Sequence, residues 1–149
     1  MKKIAIPLIL GLFVILGIVS QASAHCEIPC GIYGDQARIH MIEENITTIE
    51  KSMKSIKALQ AEKPTNHNQI VRWVMNKEKH ADAIQETVTQ YFMTQRIKPD
   101  TKDYDKKLGL LHKMLISAMK CKQTTDTAHV NNLRSLLNQF QKIYFDSGK

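Results

Sequence analysis

An all-α fold, an antiparallel up-down-up-down four-helix bundle entered from a short N-terminal segment, follows from three observations. Apolar residues recur at alternating steps of three and four along four stretches of the chain. Short breaks carrying proline or clustered threonine and aspartate separate those stretches, and nowhere does strand-like alternation compete with the helical period. The 149 residues, 43% apolar and 23% charged, suit one globular domain rather than a disordered chain.

The first 24 residues are of a different kind. Lys2 and Lys3 precede an apolar run from Ile4 to Val19, and Ala22-Ser23-Ala24 supplies the small-x-small pattern of a signal-peptidase site. The run is too short to span a membrane and carries Pro7, so residues 1–24 are expected to be a cleaved signal peptide that leaves no stable membrane anchor. Lipid attachment at Cys26 is disfavoured because His25, not a small residue, precedes it. The expected organisation is 1–24 signal peptide, 25–34 a short donor-rich segment and 35–149 the bundle, in an exported protein, periplasmic or extracellular.

Each helix has its own signals. Ile39, Ile42, Ile46, Ile49, Met53 and Ile56 give the first an apolar face over almost five turns, and Lys63-Pro64 ends it. Thr65 or Asn66 can cap the second, whose stripe is Ile70, Val74, Ala81, Ile84, Val88 and Phe92, interrupted by Lys77. Pro99-Asp100-Thr101 is the next break and N-cap, ahead of a third stripe of Tyr104, Leu108, Leu111, Leu115 and Ala118. After a break from Thr124 to Asp126, Val130, Leu133, Leu137, Phe140 and Tyr144 mark the fourth helix, and Ser147-Gly148 closes it. Apolar seams of near-heptad spacing with short connections are the signature of a bundle in which each stripe faces the other three.

Charge narrows the partners. Removal of Lys2 and Lys3 takes the formal charge from +7 to +5, mildly basic, with the cations scattered rather than clustered among aromatics. No nucleic-acid partner is expected, and a small anion makes better use of this potential. Three cysteines, Cys26, Cys30 and Cys121, are too few for a disulfide scaffold.

Chemistry concentrates in 25–34, a stretch rich in Cys, Pro and Gly. Cleavage before His25 would place a free α-amine, an imidazole, the Cys26 amide and the thiols of Cys26 and Cys30 close together, all of them nitrogen or sulfur donors. Thiolates with an amine and a deprotonated amide favour a square-planar nickel(II) or copper(II) ion over magnesium or calcium, which take oxygen ligands. Pro29 can fix the turn that brings Cys30 back to the same ion, and Gly31 allows close backbone approach. A Cys26–Cys30 disulfide closing a plain tail is the alternative that spacing leaves open.

The run His25-Cys26-Glu27-Ile28-Pro29-Cys30-Gly31-Ile32-Tyr33 closely resembles the nickel hook of nickel-containing superoxide dismutases, which typically reads His-Cys-Asp-Leu-Pro-Cys-Gly-Val-Tyr. The similarity runs on through Asp35-Gln36-Ala37-Arg38-Ile39 and, more loosely, through the later helices, the family fold also being a four-helix bundle. The resemblance implies an N-terminal metal-binding hook with His25, Cys26 and Cys30 as nickel ligands. The processed amine, the second amide and both thiolates would lie in a plane, with the imidazole axial in the oxidised state. It also implies superoxide as substrate, an ion cycling between Ni2+ and Ni3+, a homohexamer, and a catalytic Tyr33 lining the substrate channel. A hydrophobic staple onto the bundle is the other reading of Tyr33. Departures are Glu27 for the usual aspartate, one residue fewer between Tyr33 and Arg38, His40 where the family has an acid beside the axial imidazole, and Lys79 or His80 at the family's basic position.

Two further functions share these residues: an exported nickel or copper carrier without turnover, and a helical interaction protein with a disulfide-closed tail. His67, His80, His112 and His129 lack metal-like spacing and read as solvated helix residues. Cys121 reads as a small buried hydrophobe.

Overall fold

The computed structural model describes residues 33–146, and by its contacts the chain divides after Tyr33, so that the helices all belong to the unit beginning at Gly34. The expected signal peptide, all of the hook before Tyr33 and the closing Ser147-Gly148 lie outside the described residues. Four helices and no strands make up the described part: α1 (Asp35–Ala61), α2 (His67–Glu86) running straight into a π-helical segment (Thr87–Arg96), α3 (Tyr104–Gln123) and α4 (Ala128–Asp146). α1 packs on α2, α2 on α3, α3 on α4 and α4 on α1, which closes the set into a ring around one core.

The α1 stripe is as expected, with Ile39, Ile42, Ile46, Ile49, Met53 and Ile56 all buried. α1 stops at Ala61 ahead of Lys63-Pro64, and of the two candidate caps it is Asn66 whose side chain accepts from the Gln69 amide of α2, at 3.2 Å. The α4 face of Val130, Leu133, Leu137 and Phe140 is buried too, joined by Leu136.

Three expectations need correction. Ile70 and Val74 do not reach the core, and Lys77 does not interrupt the stripe: it is buried, donating to the carbonyls of Cys121, at 2.8 Å, and Lys122, and to Glu78. The ammonium thereby caps the end of α3, and the turns of α2 before Lys77 extend past that end, where no α3 residue remains to cover them. The α3 face is rotated from the expected stripe: Lys107, Leu110, Leu111, Met114, Ser117, Ala118 and Cys121 are buried, whereas Tyr104, Leu108 and Leu115 are only partly so. Ser117 can face inward because Asn132 donates to its hydroxyl at 2.8 Å. Finally, α3 does not start from Asp100 or Thr101. The Thr101 hydroxyl accepts from the Lys98 amide and closes a separate turn, and the helix begins after Asp103, whose φ of 58° is left-handed and tolerated by aspartate.

Candidate metal centre

Of the residues predicted to act, His25, Cys26 and Cys30 lie outside the described residues, and Tyr33 is described, with 42% of its surface exposed. The donor set fits nickel on its chemistry: Cys26 and Cys30 bring sulfur, and His25 brings nitrogen. Among the described residues no three His, Cys, Asp or Glu side chains gather into a metal site. Cys121 is buried in the core, where burial pushes its thiol up to about 11 and away from the reactive thiolate.

Where the chain enters the bundle, the structure builds a polar cluster that local sequence does not signal. Asp35, in the first turn of α1, accepts from the Tyr91 hydroxyl at 2.5 Å, from Arg96 Nε and Nη2 at 2.9 and 2.7 Å, and from the Tyr144 hydroxyl at 2.8 Å. Burial alone would raise the Asp35 carboxyl, but hydrogen bonds from Arg96, Tyr91 and Tyr144 outweigh it and hold the group below its ordinary value. Burial and the Asp35 hydrogen bond push both phenols up, Tyr144 to about 12, so both remain donors at neutral pH. Arg38 lies 5.1 Å over the Tyr91 ring and Lys107 5.6 Å over the Tyr144 ring, so each phenol that binds Asp35 also carries a cation on its face.

The π segment makes this convergence possible. On an ordinary α-helix, side chains five apart point about 140° away from one another. Bonds of the i to i+5 type bring them onto one face. That pattern is seen in Ile97 N donating to Phe92 O at 2.9 Å, and the Thr94 side-chain hydroxyl likewise reaches back five residues to Thr89 O at 2.7 Å. Tyr91 and Arg96, five apart, both reach Asp35 as a result.

The two family departures on the bundle are also located. His40 is exposed on α1 beside Glu43 and Glu44, at 3.5 and 3.4 Å. His80 meets Asn45 Oδ1 through Nδ1 at 2.6 Å, whereas Lys79 is exposed. Burial first, then the Lys79 charge, lowers the His80 pKa and favours its neutral form. His40 and His80 line the same open groove of about 800 Å³.

A four-helix bundle entered from a segment of thiol and imidazole donors defines a class, the helical-bundle metalloproteins. The family model described as nickel-containing superoxide dismutase matches residues 20–148, a span that includes His25, Cys26, Cys30 and Tyr33. The chain belongs to that family: it is a nickel-dependent oxidoreductase that converts superoxide to oxygen and hydrogen peroxide. Neither the curated proteins nor the solved structures contain a match to it. Family membership favours the enzyme over a carrier without turnover or a helical interaction protein.

Proposed function

We propose that dismutation takes place at the N-terminus itself, with nickel held by His25, Cys26 and Cys30 after residues 1–24 are removed on export. The observation that carries this is a coincidence of two independent signals. The small-x-small pattern ending at Ala24 puts His25 first, and only a first residue offers its α-amine as a donor beside its imidazole. When bound, nickel supplies a one-electron couple that thiolate and amidate donors tune toward its higher oxidation state. Tyr33, at the exit of the hook, holds the anion or an ordered water through its phenol and so serves proton delivery to the product. At the start of α1, Arg38 and Arg96 outnumber the Asp35 carboxylate, and positive charge of this kind favours encounter with an anionic substrate.

The same reading places the enzyme outside the cytoplasm and assembles it as a homohexamer, the family's arrangement. It also runs the helices up, down, up and down. Supporting that topology, the Asp35 cluster draws on the start of α1, the end of the α2–π element and the end of α4, with Lys107 from the start of α3 against it.

Processing provides the test. A version that keeps one extra residue, Met-His25, retains every side-chain ligand but converts the amine into an amide without a free lone pair. Incubated with nickel under reducing conditions, it should consume no superoxide, whereas the same protein trimmed to His25 should be active. Equal activity in the two would exclude the amine as a ligand and the hook assignment with it.

A further inference from the structure

Between α1 and α2 lies a groove of about 400 Å³ lined by Thr48, Lys51, Gln69, Arg72, Trp73 and Asn76, a size within the range of small-molecule sites. A chain of hydrogen bonds fixes two of these residues. Asn76 donates to Ser52 Oγ at 3.0 Å, the buried Ser52 hydroxyl donates to Thr48 O at 2.8 Å, and the Thr48 hydroxyl donates to Glu44 O at 2.9 Å. The other four are donors left over. Among the described residues neither Lys51 nor Arg72 has an acidic partner, and nothing accepts from the Gln69 side-chain amide or the Trp73 indole N–H. Lys54 and Lys77 of the same helices differ, being paired with Glu50 and Glu78. The Lys51 ammonium lies 5.8 Å from the centre of the Trp73 ring, which holds it at the groove without neutralising it. No acid lines the groove, and the first turn of α2, which includes Gln69, carries none to offset the positive end of the helix dipole.

We infer that the α1–α2 groove binds a phosphomonoester, with Lys51 and Arg72 paired to its oxygens, Gln69 donating to them and Trp73 packed against the organic part. Two unpaired cations match the charge of such a group, about −1.5 to −2 at neutral pH, better than the single charge of a carboxylate. The guanidinium of Arg72 offers the planar fork that suits paired phosphate oxygens, and the indole of Trp73 offers apolar area beside a polar N–H. A free organic phosphate and a lipid headgroup ending in a phosphomonoester present the same chemistry. The site is separate from the nickel ligands, and its existence does not depend on them.

Trp73 is also the reporter, because it is the one tryptophan in the chain. The full mature protein, loaded with nickel, is titrated at constant ionic strength with glycerol phosphate, with acetate and glycerol as controls, and separately with phosphatidylcholine vesicles with and without phosphatidic acid. Trp73 emission and the heat of binding are both followed. Glycerol phosphate should give a saturable response, acetate a much weaker one and glycerol none. Lys51→Gln and Arg72→Gln should each weaken binding about tenfold, the scale of one charge-assisted hydrogen bond, and Arg72→Lys should recover part of the loss. Both side chains are exposed, so circular dichroism should show the bundle unchanged. Lys113→Gln removes the same charge from an exposed position on α3 and should leave binding as it is. A response to phosphatidic acid vesicles without one to glycerol phosphate would assign the same groove to a lipid headgroup. No saturable response to either, acetate binding as tightly as glycerol phosphate, or a loss in Lys113→Gln equal to that in Arg72→Gln would overturn the site.

Discussion

Asp35 shows how much one side chain can depend on distant sequence. Its neighbours Gly34 and Gln36 give no hint of its surroundings, yet it binds residues 56, 61 and 109 positions away. Its depressed pKa has a definite consequence for acid stability. A carboxyl that ionises more readily folded than unfolded stabilises the fold fully above its unfolded value, about 3.8, and that contribution disappears as pH falls through the lower folded value. The difference in urea midpoint between wild type and Asp35→Asn should therefore be constant from pH 5 to pH 7, with wild type the more stable, and should narrow below about pH 3.8. A gap that widened on acidification would contradict the hydrogen-bonded arrangement. Lys77 carries the same lesson in reverse: in sequence it breaks an apolar stripe, but its long stem crosses the core to place the ammonium on the last carbonyls of α3.

Elements show where periodicity is a sufficient guide and where it is not. α1 and α4 follow the three-four spacing because each presents a single apolar face to the core. α3 departs because its inward face includes Lys107 and Ser117, polar residues that a hydrophobicity pattern assigns to solvent. The π segment is the element least legible in sequence, since i to i+5 bonding leaves the apolar residues Val88 and Phe92 at spacing four, as in an ordinary helix. Deleting the exposed Thr94 should restore i to i+4 bonding and rotate Arg96 away from Asp35. Loss of a charge-assisted pair of this kind is worth about 1–3 kcal/mol, which at this chain length means a Tm lower by roughly 5 °C or more. In an Arg96→Ala background the same deletion should lower Tm little further, because the interaction is already gone; fully additive losses would show that the π geometry does not serve this pair.

At the scale of the whole molecule, the bundle stands apart from the proposed hook. Among the described residues no buried side-chain polar atom lacks a hydrogen-bond partner, so the bundle is internally satisfied. Nickel should therefore add to its stability rather than create its fold. Free nickel at about a hundred times its Kd should stabilise the mature chain by roughly 2.7 kcal/mol, visible as a higher Tm. Cys26→Ser, without one thiolate, should fold to the same apo Tm and gain nothing from the metal. An equal nickel-dependent rise in that variant would put the ion somewhere other than the hook.

What the sequence determined by itself was everything that depends on neighbours along the chain. The four helices follow from apolar spacing and their breaks, and the proposal of His25, Cys26 and Cys30 as donors rests on residues within six positions of one another. Family membership was legible for the same reason, because the resemblance is carried by a contiguous motif. Tertiary structure alone decided the rotation of α3, the burial of Lys77 and the gathering of Asp35, Tyr91, Arg96 and Tyr144. Buried polar groups must find partners wherever the fold supplies them, and those partners lie on other helices, at separations over which no local pattern carries information.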